Sequence, residues 1–324
     1  MIDKIELNKH LILDKKSKKI AIIGNGFDLY HGLKTRYSDF KKYVYEINPK
    51  LVEYVNEIFW NQGYKKDDLE YWSELEVMLG SLPELDYDAL YEDAFDGAET
   101  DMDRASYWHD PEYNAQKKAE EELLVPLKLK SYFDEWVNSI NLKRICRKPW
   151  LEIYNFDLFI NFNYTDTLQE VYGISNAIIF HIHGDANSSY VLGHNEIEKL
   201  PYPDPYETYF DPRTGETTSD ADVRQAQVRE SLNSTYTNLF KAYFKNSIKI
   251  IAENQKWFNQ FESATRVTFM GLSMGLQDEI YIKEIDKLLP KTTEIIVYWH
   301  ENKEEMVKKC ESLLCGRAIK YEKW

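Results

Sequence analysis

The chain has 324 residues, with 55 acidic against 40 basic side chains and a formal net charge of −15. Such a field repels phosphate backbones, which argues against broad nucleic-acid binding. Hydrophobic residues make up 43% and aromatics 15%, enough for a sizeable packed core. The cysteines Cys146, Cys310 and Cys315 form no C-x-x-C pair, so neither a zinc ribbon nor a disulfide framework is suggested. The N-terminus lacks the apolar core of a signal peptide, and no stretch approaches the length of a transmembrane helix. The expected location is the cytoplasm.

The first strand signal is Lys19–Ile23, a short apolar run that ends at glycine. After the loop Gly24–Gly32, helical patterning starts at about Ser38. From there to about Trp150 the segments LVEYVNEIFW, YWSELEVMLG and LLVPLKLKSYFDEWVNSI space apolar residues three and four apart, as amphipathic helices do. The strongly acidic stretch Glu84–Asp103 lacks the D-x-D-x-D-G calcium pattern and reads as a solvated loop. Strand signals return at Leu158–Phe162, Ala177–Ile182 and Tyr190–Leu192. Residues Pro201–Asp222 suggest an irregular loop or lid, followed by helix over roughly Val223–Phe261. The tail then alternates strand and helix: RVTFMG, DEIYIKEIDKLL, EIIVYW, KEEMVKKCESLL and AIKYEK. Apolar strands alternating with helices predict a parallel sheet covered on both faces. The expected fold is therefore α/β, a Rossmann-like parallel sheet. Its core would span residues 1–40 and 151–324, with a mainly helical insertion over 41–150.

Four blocks carry chemistry. In Gly24-Asn25-Gly26-Phe27-Asp28-Leu29-Tyr30-His31-Gly32, glycines directly after a strand let backbone amides approach a phosphate. The ordinary G-x-G-x-x-G fingerprint fails at Leu29, so a tight structural turn is the competing explanation. Asn161–Asp166 stands at a strand's C-terminal end, where parallel sheets bind ligands, and Thr165 or Asp166 could instead cap the next helix. In His181-Ile182-His183-Gly184-Asp185, strand alternation would put both histidines on one face as acid–base or metal-binding groups, with His194 able to join them. Gly271-Leu272-Ser273-Met274-Gly275 fits the nucleophile-elbow pattern G-x-S-x-G, with Asp278, Asp286 and His300 downstream to complete a triad. A small-residue turn that lets a ligand approach the backbone is the alternative.

Taken in order, IIGNGFDLYHGLKTRYSDF, NFNYTDTLQEVYG, HIHGD, LGHN and GLSMGLQDEIY resemble the AbiH family of bacterial phage abortive-infection proteins, from about residue 19 to residue 290. More distantly, the order of glycine loop, strand-end Asn and His-Gly is similar to that of sirtuin-like NAD-binding folds. Gly24, Gly26 and Gly32 match their glycine spacing, Asn163 their ribose-contacting Asn, and His183 their catalytic His. Asp28 and Asn25 stand where sirtuins carry serine and alanine, and the four zinc cysteines of the deacetylases are absent.

That resemblance implies a small-molecule nucleotide partner, NAD or a relative, whose N-glycosidic bond is hydrolysed, and no metal. The amides of Gly24, Asn25 and Gly26, in the loop that includes Phe27 and Gly32, would hold the pyrophosphate. Asn163 would orient the nicotinamide ribose and His183 would act as general base. Asp28 and Asp166 would offset positive charge as the bond breaks. Gly271 and Ser273 would close the adenine-ribose side. A nucleotide sensor without catalysis, a serine hydrolase built on Ser273 and a metal-dependent phosphoesterase are the competing functions. A phage-derived trigger and a homo-oligomer are further expected partners.

Overall fold

The computed structural model describes residues 17–61, 63, 71–80, 117, 127–185, 190–196, 198, 200 and 220–324. The acidic stretch Glu84–Asp103 and the loop from Pro201 to residue 219 lie outside them. The described residues fall into two compact units, within 17–36, 137–191 and 246–324, and within 37–136 and 192–245.

The first unit is built on a six-stranded sheet in which every neighbouring pair is parallel. Its strands are β1 (Lys18–Ile23), β2 (Leu158–Asn161), β3 (Ile179–His181), β4 (Ala264–Met270), β5 (Glu294–Trp299) and β6 (Ile319–Lys323), in the order β3-β2-β1-β4-β5-β6. This is the doubly wound order of dinucleotide-binding folds, with a switch point between β1 and β4 where successive strands run outward in opposite directions. The expected α/β, Rossmann-like class is the one observed.

Strand alternation explains how two cores form from one sheet. Ile20, Ile22, Ile160, Val267, Phe269, Ile295 and Val297 face one way, against Tyr281, Ile282 and Ile285 of the helix Glu279–Leu288. Ala21, Ile23, Phe159 and Ile179 face the other, against Leu168, Val171 and Tyr172 of the helix Thr167–Tyr172. The strands are apolar on both faces because both are covered. The expected strand at Tyr190–Leu192 does not form. Val191 makes a single amide bond to the His183 carbonyl at 2.9 Å, and among the described residues no neighbouring strand extends the ladder there.

Helix Glu279–Leu288 ends under Arg317. The guanidinium pairs with the Asp286 carboxylate and donates to the carbonyls of Asp286, Leu289 and Pro290 at 2.7, 2.9 and 2.8 Å. These acceptors belong to the last turn and its exit, which lack intrahelical partners. Arg317→Ala is therefore expected to lower unfolding free energy by about 2–3 kcal/mol, read by urea titration. Arg317→Lys should restore under half of it, since an ammonium lacks the planar fork.

The second unit is mainly helical, with helices at Tyr37–Ile47, Pro49–Asn61, Leu75–Leu79 and Asp220–Ala242, and most of the helix over 127–139. Aromatic packing holds it: Phe40 meets Phe133 edge-on at 5.2 Å and Trp136 at 5.2 Å. The buried Lys245 ammonium bonds Glu76 at 3.1 Å. The expected boundaries differ from these at 137–150, which the sequence assigns to the insertion, and at 192–245, which it assigns to the sheet core. His194 and Phe244 form a short parallel bridge, with His194 N–H to the Tyr243 carbonyl at 2.9 Å and Lys245 N–H to the His194 carbonyl at 2.8 Å. That bridge closes the returning segment on itself, and the Lys245 bond to Glu76 ties it to the inserted helices. Helix over Val223–Phe261 is interrupted at Asn246, whose φ of 43° is left-handed and whose side chain caps Ser247–Glu253.

Candidate functional site

All of the site lies in the first unit, at the carboxyl ends of β1 to β4. β1 enters the short helix Asn25–Tyr30 through Gly24. At the switch point the loops after β1 and β4 touch backbone to backbone. Gly24 N–H donates to the Met270 carbonyl at 2.9 Å and Gly26 N–H to the Gly271 carbonyl at 2.8 Å. A Cβ on Gly24 would sit 2.5 Å from the Leu272 Cα, and one on Gly26 would sit 2.7 Å from the Gly271 Cα. This corrects the expected cradle. Both glycines serve the loop–loop contact, their amides are committed there, and only the Asn25 N–H has no backbone partner among the described residues. Phe27 is likewise a core side chain, fully buried against Tyr172 and Trp324 rather than facing a ligand.

Asp28 is buried at 1% exposure. Its carboxylate accepts from Thr165 Oγ1 at 2.5 Å and Thr167 Oγ1 at 2.7 Å, and the two hydroxyls lie 3.0 Å apart. Burial raises its pKa to about 6 against the pull of those hydroxyls and of the nearby Asn163 amide. Its oxygens thus face the β2 loop, and Asp28 ties that loop to β1. The charge-offsetting role expected for it is not what these contacts provide. Thr165 and Asp166 do not cap the following helix either. Asp166 occupies the N-cap position without a side-chain capping bond and turns to Gln169 at 3.2 Å and His181 at 3.9 Å.

Asn163 is 4% exposed. Its carboxamide leans on Asp28 closely enough to favour the charged form, yet neither its nitrogen nor its oxygen reaches hydrogen-bond geometry with a protein group. Buried polar atoms left so are rare, and each costs about 1–3 kcal/mol unless something else supplies a partner.

The two histidines do not share a face. β3 ends at His181, and residues 182–183 turn out of the strand. His181 points to Asn161 at 3.3 Å and Gln169 at 2.8 Å, and burial lowers its pKa. Burial also raises that of Asp166. His183 turns the other way. Its Nδ1 meets the Phe162 carbonyl at 3.1 Å, which accepts only, so Nδ1 carries the hydrogen and Nε2 is the nitrogen that titrates. Phe162, Tyr164 and Tyr281 surround the ring at 5.6, 5.6 and 6.1 Å. His194 belongs to the second unit, packed on Phe240 at 4.5 Å. His31, in the glycine loop, is a brace: its Nδ1–H donates to the Phe27 carbonyl at 2.7 Å, and Nε2 accepts from Tyr172 at 2.6 Å.

Ser273 is exposed on the loop after β4, but the expected triad is not assembled. Asp286 pairs with Arg317, His300 with Glu301 at 3.5 Å, and Asp278 faces His183 at 3.8 Å. The left-handed residues of this turn are Gly271 and Met274 rather than the serine. Thr165, Thr167 and Tyr164 are site residues that sequence reasoning left without a contact. The T-x-T spacing around Asp166 is the one signal that could have found the two threonines. Among the described residues no group of three or more His, Cys, Asp or Glu is arranged to hold a metal ion, and no helix is long and apolar enough to cross a membrane.

The family model described as bacteriophage abortive infection AbiH matches residues 20–299. No curated protein matches the chain.

Proposed function

Since the chain belongs to the AbiH family of bacteriophage abortive-infection proteins, we propose that it acts in phage defence by binding NAD or a related nucleotide at the carboxyl edge of its sheet and hydrolysing the N-glycosidic bond. The observation that carries this reading is Asn163, whose carboxamide is buried at the switch-point edge without a hydrogen-bonding partner. A ribose hydroxyl is a donor and an acceptor at once and satisfies both amide atoms. The edge is also where open parallel sheets bind nucleotides.

In this reading Asn163 orients the ribose. His183 Nε2 takes a proton from a ribose hydroxyl or an attacking water, a step worth about 10²–10⁴-fold. Asp166, half-buried beside His181, supplies negative charge as the ribose turns oxocarbenium-like. The pyrophosphate meets the Asn25 N–H and the exposed Lys34 and Arg36, which the Asn25 Nδ2 bond to the Thr35 carbonyl keeps close. Ser273 borders the second ribose. The reaction takes place in the cytoplasm, where its substrate is abundant, and a phage-derived trigger raises it above a basal rate.

Purified protein incubated with NAD, with nicotinamide and ADP-ribose separated by chromatography, tests this. Cleavage is expected in the wild type and to fall at least about a hundredfold in His183→Ala. Full cleavage by both His183→Ala and Asn163→Ala would overturn the assignment. NAD bound but left intact would make the protein a sensor.

A further inference from the structure

Asp278 lies outside the sequence blocks that carry the proposed reaction, and its geometry ties it to them. It ends the short turn Leu276–Asp278 and occupies the N-cap position of helix Glu279–Leu288. Aspartate is among the strongest N-cap residues, because its carboxylate accepts from the first free amides of a helix. Here the side chain makes no such bond. It reaches across to the loop after β3 instead, where Oδ1 stands 3.8 Å from His183 Nε2. The two side chains are only 5% and 16% exposed, His183 first.

The other ring nitrogen is already committed. His183 Nδ1–H donates to the Phe162 carbonyl, so any proton gained on the ring arrives at Nε2, the atom facing the carboxylate. The surroundings are aromatic: Phe162, Tyr164 and Tyr281 enclose the imidazole. Water screens little there, so an opposite charge under 4 Å away acts strongly. Among the described residues, the ionisable groups near the ring are Asp278 from the loop after β4, Tyr281 from the following helix, Tyr164 from the loop after β2, and Asp185 two residues on. Asp185 acts on Asp166 and His181. Asp278 is thus the carboxylate paired with Nε2.

We infer that Asp278 is the positioning residue for His183: it stabilises the imidazolium formed when Nε2 takes a proton and holds the protonated ring in place. It rests on the proposed hydrolysis for its role in a reaction, and on the ring-to-carboxylate geometry for its existence. The proton moves from a ribose hydroxyl or water to His183 Nε2. Asp278 stays ionised throughout and passes no proton on. An acid–base residue of this kind gains proton affinity from its partner, as a histidine beside a carboxylate does.

The test reads the pair apart from the reaction. In ¹⁵N-labelled protein, the imidazole signals of His183 are followed across pH in the wild type, Asp278→Asn and Asp278→Glu. Asp278→Asn is expected to titrate His183 at lower pH, with about tenfold weaker proton affinity, and Asp278→Glu to recover part of it. NAD cleavage should show the acid limb of its kcat profile moving the same way in Asp278→Asn, with KM changed less than about threefold. A His183 titration identical in wild type and Asp278→Asn would overturn the pairing, whatever the protein does to NAD. A moved titration with NAD left untouched would uphold the pair and sink the hydrolase reading instead. Unfolding curves show whether each variant is folded. If Asp278→Asn does not fold, Asp278→Glu carries the same comparison, with a smaller shift expected.

Discussion

Gly271→Ala is expected to destabilise the protein by about 3–5 kcal/mol and to leave little folded chain at physiological temperature. Two costs add. Gly271 has a φ of 73°, a left-handed conformation that is strained for alanine. The new methyl would also stand 2.1 Å from the Phe27 nitrogen and 2.5 Å from the Gly26 carbonyl carbon. Those are backbone atoms, so relief requires the loops after β1 and β4 to part, breaking the Gly26 N–H bond to Gly271 that holds the switch point closed. Gly32 is the control, with a φ of 80° and nothing within 4 Å of a Cβ. Gly32→Ala should cost only about 1–2 kcal/mol, the conformational part alone. Urea unfolding of the two variants separates the terms. Equal losses would mean that the loop contact contributes nothing.

This contact shows what a sequence conveys and what it hides. The strand–helix alternation of residues 264–323 and the apolar runs at β1 and β2 carry the fold, because period and composition follow directly from burial on both faces. The glycines at 24, 26 and 271 were legible as positions of close approach. What approached them was not. A glycine that admits a phosphate and one that admits another loop look the same in one dimension, and here two such loops admit each other. The boundaries at 192–245 were hidden for a similar reason. The bond of Lys245 to Glu76 joins residues 169 positions apart, and local patterning holds no trace of it.

The site divides the same way. Asn163 and His183 could be singled out because polar groups at strand ends are unusual and alternation forecasts which strand they leave. The forecast for His183 failed at one detail. β3 stops at His181, and the two residues that follow turn, so the histidines part. Asp278 was visible only as a member of an alternative triad, since its partnership with His183 depends on how the loop after β4 folds back. Thr165 was read as a helix-capping candidate and Thr167 was not singled out, whereas the hydroxyls of both serve Asp28. Capping and carboxylate binding use the same short polar side chains, and only the tertiary structure decides between them.

Asp28→Asn is expected to make the protein more stable than the wild type at neutral pH and to lose that advantage in acid. Burial raises the Asp28 pKa from 3.8 to about 6. A carboxyl with a raised folded-state pKa contributes stability that is fully present below its unfolded value and lost as pH climbs through the folded one. Its ionisation is thus a growing cost between about pH 4 and pH 6, reaching about 3 kcal/mol at pH 7. Burial favours the neutral form over the pull of the hydroxyls, and the geometry leaves that form fully hydrogen-bonded. With Asp28 protonated, its hydroxyl donates to Thr167, Thr167 to Thr165 across their 3.0 Å contact, and Thr165 back to the other carboxyl oxygen. The ring is complete, with every hydrogen used. Ionised Asp28 takes both threonine hydrogens and leaves the threonine–threonine contact with none. Asparagine reproduces the closed ring at every pH, its Nδ2 donating to Thr167. Unfolding free energies of wild type and Asp28→Asn, measured at about pH 4.5, 5.5 and 7.5, should diverge by about 2–3 kcal/mol in favour of the variant across that range. Asp28→Ala, which empties the ring, should be less stable than Asp28→Asn throughout, by about 1–3 kcal/mol. Parallel curves for wild type and Asp28→Asn would mean that Asp28 is ionised without penalty. The two threonines would then be held for its charge rather than for a shared proton.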